Sequence, residues 1–251
     1  MYSTTGLTRD QIVGLCAIIH HSRLPIRRPW PPKLGLFDSV RVAVIYLRRN
    51  RAQVELAEEF RVSQSTISRA ITAVTPLLAA ALSECVPTTD DLDARSTYIV
   101  DGTLIPCWSW RAREKELYSG KHRTTGMNLQ IACTLSGRLA WVSDPVPGSR
   151  HDSYCLRESG ILDDYDVTAW MGDKGYIGTG MLTPIRKPKH RDLLDWEKDF
   201  NHHHNKKRVI VEHAIANLKT WRILHTDYRR PIDTFATTIS AVLGLQFYRQ
   251  A

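Results

Sequence analysis

No two cysteines in this chain have the Cys-x-x-Cys spacing of a zinc ribbon. The five cysteines are odd in number and widely scattered, which excludes a disulfide framework and suits a reducing cytoplasm. No apolar segment approaches the roughly 18 residues that span a bilayer. The first residues also show no basic stretch followed by an apolar run, as a secretory signal would. We therefore expect a cytoplasmic protein that is neither secreted nor embedded in a membrane.

Basic residues outnumber acidic ones, with 34 Lys and Arg against 26 Asp and Glu and a formal net charge of +8. Such an excess favours a polyanionic partner, although it serves simple solubility equally well. At 251 residues the chain can form one large domain or two modest ones, and a soluble globular protein is the default class.

The first third of the chain has the apolar spacing of helices. Thr8 and Gln11 have capping-box spacing, which predicts a first helix over about residues 9–21. Further helical patterns cover 36–49 and 53–60, and another helix is predicted to begin at Pro76 and to continue to about residue 84. The linker after the first helix contains three arginines that are suited to a phosphate backbone or are simply solvated: Arg23, Arg27 and Arg28.

The segment FRVSQSTISRAI, residues 60–71, has the pattern of a turn leading into a helix capped by Ser63. The nearby apolar residues have the spacing of a helix-turn-helix core: Leu56, Ala57, Val62, Ile67 and Ile71. This core leaves outward on the second helix the polar types that reach base edges and phosphates: Gln64, Ser65, Ser68 and Arg69. The alternative is an ordinary three-helix bundle, since Arg61 stands in the turn where glycine is more usual.

The polar, turn-rich segment PTTDDLD at 87–93 is the best domain boundary. We expect a helical DNA-binding domain over 1–90, with its helix-turn-helix at about 36–75, and a second domain over 91–251. Strands are predicted at 98–105, 128–134, 138–143, 167–172 and 181–186, with a short helix at 151–159. This order, followed by a long helix, is that of a ribonuclease-H-like mixed sheet. The predicted fold class is therefore α+β or α/β.

Acidic residues fall where that fold keeps carboxylates. Asp101 interrupts the apolar strand YIVDGT, 98–103, and burying an unpaired carboxylate costs on the order of several kcal/mol unless a metal, a cation or hydrogen bonds compensate. Asp173 follows the predicted fourth strand in WMGDKGY, 170–176, and Asp152 competes with it as the second acid. Topology favours Asp173, because the second acid of this fold follows the fourth strand. Asp152 is then left to cap its helix or to line the site, with a metal-ligand role open.

The stretch NKKRVIVEHAIANLKTW at 205–221 reads as one long helix with a third acid. At about 100° per residue, four polar residues fall in one sector of about 60° beside an apolar stripe: Asn205, Arg208, Glu212 and Lys219. Solvated charges are the ordinary explanation of such a face. The motifs around Asp101 and Asp173 favour a functional site instead.

Taken together, these segments resemble insertion-sequence transposases of the DDE superfamily, in the branch related to the insertion-sequence-five group and to Harbinger-type elements. The resemblance covers nearly the whole chain, including PGSRHD at 147–152, GDKGY at 172–176 and RVIVEHAIANLK at 208–219. Arg208, Glu212 and Lys219 match the family's spacing, whereas Asn205 stands where the family has Tyr. That substitution puts in doubt any role of the Tyr in positioning a DNA strand.

The resemblance implies a metal-dependent endonuclease and strand transferase. Asp101, Asp173 and Glu212 would hold two Mg²⁺ ions, with Mn²⁺ as a substitute, since hard cations select carboxylate oxygens. Water would cut terminal inverted repeats to free a 3′-hydroxyl, which then attacks target DNA. The expected partners are double-stranded DNA at the nucleoid and, when DNA is bound, at least one further copy of the chain. The expected backbone contacts are Lys121, Arg123, Lys174, Arg208 and Lys219.

Other readings stay open at this stage. A transposase-derived DNA-binding regulator would use the helix-turn-helix without chemistry, and a plain nuclease would cut without requiring terminal repeats. Trp108 and Trp110 are suited either to stack on an unpaired base or to pack in a core or a dimer contact.

Overall fold

A computed structural model describes residues 3–21, 29–108, 114–226 and 228–250. The chain divides into two compact units, a helical unit of Met1–Val86 with Lys219–Ala251 and a sheet unit of Pro87–Leu218. No helix within the described ranges is long and apolar enough to cross a bilayer. Four residues singled out above lie outside the described residues: Arg23, Arg27, Arg28 and Trp110.

The helical unit begins with α1 (Arg9–His21), α2 (Gly35–Arg49), α3 (Gln53–Phe60) and α4 (Gln64–Ala81). The predicted capping box of α1 is present, because the N–H groups of Thr8 and Gln11 each donate to the other residue's side chain. Ser63 caps α4 through its Oγ, which accepts from the N–H of Thr66. Arg61 ends α3 with a φ of 52°, in the left-handed conformation that glycine adopts more readily. The predicted helix-turn-helix is confirmed.

Pro76 lies inside α4, so the prediction that a new helix begins there was wrong. A proline in a helix interior removes a backbone hydrogen bond and costs about 3 kcal/mol. The apolar stripe of α4 nevertheless continues on both sides of it, and each buried aliphatic side chain contributes about 1.5–3 kcal/mol. Packing therefore outweighs the lost bond. The stripe consists of the fully buried Ile67, Ile71, Val74 and Leu78.

The sheet unit contains β1 (Tyr98–Pro106), α5 (Glu114–Leu117), β2 (Tyr118–Ser119), β3 (Thr124–Thr134), β4 (Leu139–Val142) and β5 (Val146–Pro147). It continues with α6 (Asp152–Glu158), α7 (Ile161–Asp164) and α8 (Asp195–Leu218). β3 runs antiparallel to β1, β2, β4 and β5. The long helix α8 packs against β1 and β3.

The strands predicted at 167–172 and 181–186 are reduced to single bridges. Met171 pairs in parallel with Ile99 of β1, and Leu182 pairs in parallel with Met171. The N–H of Val100 donates to the carbonyl of Met171 at 2.8 Å. The spatial order is thus Leu182, Met171, β1, β3, β4, with an antiparallel half and a short parallel half. This is the order of a ribonuclease-H-like sheet, and the predicted fold class is confirmed.

After α8 the chain contributes again to the helical unit. α9 (Phe235–Gln250) packs on α4. The buried Trp221 donates its Nε1–H to Oε1 of Gln246 at 2.9 Å. Residues 91–251 were predicted to form one domain, whereas the division into compact units assigns Lys219–Ala251 to the helical unit. The physical reason is that α9 carries buried apolar side chains along most of its length, among them Ile239, Val242 and Leu245.

Candidate active site

Asp101 lies in the middle of β1, and its side chain is only 14% exposed. Its Oδ2 accepts a hydrogen bond from Nη2 of Arg208 at 2.9 Å, and its Oδ1 accepts from the N–H of Gly102 at 2.9 Å. Burial raises the pKa of Asp101 to about 6, with a further upward contribution from Asp173 and an opposing one from Arg208. A cation and a hydrogen bond thus compensate this buried carboxylate only in part.

Asp173 precedes a short 3₁₀ turn over Lys174–Tyr176 and caps it, because its Oδ1 accepts from the N–H of Gly175 at 2.6 Å. The side chain of Asp173 is half-buried. Its negative charge helps to raise the pKa of Asp101. The placement of these two acids in one catalytic site stays a prediction.

Glu212 lies one turn beyond Arg208 on α8 and is exposed. In the part of the chain that the structure describes, no three His, Cys, Asp or Glu side chains are grouped closely enough to hold a metal ion. The predicted trio of Asp101, Asp173 and Glu212 is therefore not assembled as a metal-binding group here. Instead, Oδ2 of Asp101 is held by Arg208, whose side chain is 13% exposed.

Asp152 lines the site from one side and does not cap its helix. The cap position of α6 is His151, which makes no side-chain capping bond. The carboxylate accepts from Nζ of Lys121 at Oδ2 and from Nδ2 of Asn128 at Oδ1, both at 2.8 Å. Burial alone would raise the pKa of Asp152, but these hydrogen bonds outweigh burial and lower it. A Cβ atom added at Gly102 would overlap with Oδ1 of Asp152, so this carboxylate contacts the backbone next to Asp101.

Behind Asp152 lies a buried chain of polar side chains, which we call the amide relay: Asn128, Gln130 and Tyr176. The phenol of Tyr176 donates to Oε1 of Gln130 at 2.6 Å, and Nε2 of Gln130 donates to Oδ1 of Asn128 at 2.9 Å. This network was not predicted from the sequence. Its available signal was NLQ at 128–130, two amides at the period-two spacing of one strand face within an apolar run.

The predicted base-reading residues lie at the surface of α4. Gln64, Ser65 and Arg69 are exposed, and Ser68 is half-buried. Nε of Arg69 donates to the carbonyl of Ser65 at 3.2 Å. Because α4 contains no acidic residue, this face presents hydroxyl, amide and guanidinium groups without a competing negative charge.

The remaining predicted phosphate contacts are more dispersed. Arg123 and Lys174 are exposed in the sheet unit. Lys219 follows the end of α8 at Leu218 and belongs to the helical unit, and burial lowers its pKa. The helix predicted to reach residue 221 thus ends before the last member of its polar face. Trp108 is 56% exposed, which argues against a core position.

Comparison with known protein families identifies the family of the chain. The model described as "DDE superfamily endonuclease" matches residues 100–246, a range that holds Asp101, Asp173 and Glu212. The chain belongs to the DDE superfamily of endonucleases. A second model, described as "Helix-turn-helix of DDE superfamily endonuclease", matches residues 32–84 of this superfamily member. The superfamily expected from the motifs is confirmed, and the branch within it stays a prediction.

Two curated relatives cover most of the chain. The protein of Streptomyces albus G named "Putative transposase for insertion sequence element IS112" is 33% identical over 223 residues, which are 88% of this chain and 83% of the relative. The protein of Microchaete diplosiphon named "Probable transposase for insertion sequence element IS702" is 25% identical over 257 residues, 98% of this chain and 93% of the relative. No solved structure matches the chain.

Proposed function

We propose that this superfamily member is a DNA transposase. It binds the terminal inverted repeats of its element, hydrolyses phosphodiester bonds there and transfers the freed 3′-hydroxyl end to target DNA. The observation that carries the proposal is the buried carboxylate of Asp101, which lies on the central strand with its side chain 14% exposed. The helix-turn-helix and the names of both relatives support it.

The donor chemistry fits a hard divalent cation. Mg²⁺ selects carboxylate oxygens, and the raised pKa of Asp101 marks a negative charge that a cation would relieve. We assign Asp101, Asp173 and Glu212 as the ligands, with Asp152 as a further candidate and Mn²⁺ as a substitute metal. Two such ions, when bound, neutralise charge on the attacking and leaving oxygens and lower the pKa of water.

The cationic side chains bind and orient the DNA in this proposal. Arg208 exchanges its contact with Asp101 for a phosphate oxygen when DNA enters, while further phosphates are held by Lys121, Arg123, Lys174 and Lys219. On α4, sequence is read by Gln64, Ser65, Ser68 and Arg69. Two DNA ends must be joined in one complex, so the active form with DNA is a dimer or larger.

A strand-cleavage assay on the DNA that flanks the coding region tests this function. The unmodified protein is expected to cut that DNA only when Mg²⁺ is added. Glu212→Gln is expected to bind the same DNA with unchanged affinity but to cut it at least about 10³-fold more slowly. Asp199→Asn is the matched control, because Asp199 is an exposed acid on the same helix and should cut normally. Full cleavage by Glu212→Gln would defeat the ligand assignment.

A second candidate is a DNA-binding regulator derived from a transposase. It is favoured by the two ion pairs of the site, Asp101 with Arg208 and Asp152 with Lys121, which give each carboxylate a cationic partner without a metal. Under this alternative the unmodified protein binds the flanking DNA but never cuts it, and Asp101→Asn binds equally well. A plain nuclease would instead cut duplexes that contain no terminal repeats.

A further inference from the structure

The ammonium of Lys121 lies against the carboxylate of Asp152. Its Nζ donates to Oδ2 of Asp152 at 2.8 Å. Burial alone would lower the pKa of Lys121, but the hydrogen bond to Asp152 and the charges of Asp152, Asp173 and Asp101 outweigh burial and raise it. Lys121 is exposed like Arg123 two residues later, but its ammonium is held by the hydrogen bond to Asp152.

Asp152 is itself held by the amide relay. Every bond of the relay donates in the direction of Asp152, from Tyr176 to Gln130, from Gln130 to Asn128 and from Asn128 to the carboxylate. The three relay residues are buried, at 0%, 0% and 6% exposure for Tyr176, Gln130 and Asn128. Aligned donors in a buried chain reinforce one another and stabilise the ionised acceptor at its end. The relay thus holds the carboxylate of Asp152 in position and favours its ionised form, which binds Lys121.

The two members of the pair differ in access to solvent. The side chain of Asp152 is 10% exposed, whereas that of Lys121 is 58% exposed. Both oxygens of Asp152 already accept a hydrogen bond, one from Lys121 and one from Asn128. Asp152 is therefore buried beneath Lys121 and holds it, and the group that DNA can reach is the ammonium of Lys121.

We propose that Lys121 is a catalytic residue that binds a non-bridging oxygen of the phosphate under attack, and that Asp152 with the amide relay positions its ammonium there. The inference rests on the proposed phosphodiester cleavage and narrows the role of Lys121 from a general backbone contact to the reacting phosphate. Charge builds up on the phosphate oxygens in the transition state, and a cation fixed in advance stabilises that charge without reorganisation. A free lysine would first have to lose its rotamer freedom.

Whether Asp152 and the amide relay position Lys121 can be tested without measuring DNA cleavage. In the full-length protein without DNA, an amine-reactive reagent at a fixed pH followed by mass spectrometry reports how firmly each ammonium is held. Asp152→Asn removes the negative charge but keeps an acceptor for Asn128, so labelling of Lys121 is expected to rise several-fold. Tyr176→Phe should raise it less, and Lys174 in the same chain is the internal reference. Unchanged labelling of Lys121 in Asp152→Asn would overturn the positioning role.

The catalytic role of Lys121 is tested by single-turnover cleavage of the flanking DNA in the presence of Mg²⁺. Lys121→Met is expected to slow cleavage about 100-fold while the Kd for DNA changes less than about threefold. The double variant with Asp152→Asn should be no slower than Lys121→Met alone, because both changes remove the same cation. Lys189→Met, at an exposed lysine of the same unit, is the control that keeps the normal rate. An unchanged rate in Lys121→Met, a defect confined to Kd, or effects that multiply would each contradict the inference.

A metal-binding measurement separates Asp152 from the proposed ligands. Mn²⁺ titrated into the protein and followed by electron paramagnetic resonance should bind Asp152→Asn as tightly as the unmodified chain. A large loss of Mn²⁺ affinity would make Asp152 a ligand and overturn the positioning role. Absence of cleavage by the unmodified protein would overturn the proposed function and the catalytic role together. Equal cleavage by the unmodified protein and Lys121→Met would overturn this inference alone.

Discussion

An ion pair of the helical unit and one of the sheet unit differ sharply in burial. In the helical unit the ion pair of Arg51 with Glu55 lies at the surface, with side chains 32% and 53% exposed. In the sheet unit the pair of Arg208 with Asp101 is 13% and 14% exposed. Surface pairs contribute about 0–1 kcal/mol, whereas a buried pair must first overcome the desolvation of both ions. The sheet unit thus keeps a charge arrangement that stability alone does not favour.

The buried ion pair indicates that the functional site lies in the sheet unit. A unit selected only for packing would replace the buried acids by apolar side chains, as the sheet unit does elsewhere around Val100, Trp141 and Trp170. Strained or imperfectly compensated groups concentrate at functional sites. Substitutions in the sheet unit should therefore couple stability to the site, while those in the helical unit should follow the ordinary rules of helices.

The largest effect is expected for Gly102→Ala. The new methyl group would overlap with Oδ1 of Asp152 and lie 2.8 Å from its Cγ, and this carboxylate is held by Lys121 and Asn128. Relief requires breaking these bonds, so we expect a loss of about 3 kcal/mol in the free energy of unfolding by urea. Gly120→Ala is the control, because nothing lies within 4 Å of a Cβ there. Equal stability of the two variants would show that Asp152 is not rigidly held.

Asp101→Asn should stabilise the protein when no metal is added. The folded-state pKa of about 6 lies above the ordinary 3.8, so the folded chain binds this proton more tightly than the unfolded chain. The resulting stability is complete below about pH 4 and is lost as the pH rises through 6. The neutral amide keeps it, so the variant should be about 1–3 kcal/mol more stable at pH 7.5 and no more stable near pH 4.

The helical unit supplies the matched comparison for this variant. Asp38 pairs with Arg41 at the surface of α2, with side chains 41% and 30% exposed. Asp38→Asn should lower stability by no more than about 0.5 kcal/mol at either pH. Thermal unfolding at the two pH values decides between the units. A less stable Asp101→Asn at pH 7.5 would mean that the buried pair is favourable after all.

The smallest effect is expected at the cap of α4. Ser63→Ala removes the side-chain acceptor for the N–H of Thr66 and should cost about 1 kcal/mol. Ser68→Ala, within the same helix, should change stability by about 0.5 kcal/mol or less, since alanine is the better helix former. Urea unfolding of both variants checks the difference. If Ser63→Ala also abolished DNA cleavage without affecting DNA binding, the contrast between the two units would not hold.

Local rules were enough to predict part of the fold from the sequence. The bounds of α1 and α3, the capping box at Thr8 and the Ser63 cap depend on residues within a few positions of one another. β1 could be predicted because its apolar, β-branched run is interrupted only by Asp101. The position of that acid within a strand also followed from the pattern, whereas the placement of Asp173 and Glu212 beside it stays a prediction.

The features that local sequence patterns failed to predict depend on long-range packing. Pro76 stays within α4 because the buried stripe extends past it, and the sequence around Met171 does not reveal that only one residue pairs with β1. The amide relay could not be predicted either. Asn128 and Gln130 look like solvated strand residues until folding brings Tyr176 and Asp152, 46 and 24 positions away, against them.

The return of the chain to the helical unit after α8 has a consequence for protein synthesis. The sheet unit leaves the ribosome before α9 exists, so the DNA-binding unit is completed last. A product that stopped at Leu218 would leave open the surface of α4 that α9 covers, and would lack Trp221 and Gln246 from that core. Prematurely terminated chains would then be substrates for proteolysis rather than stable competitors of the full-length chain for DNA.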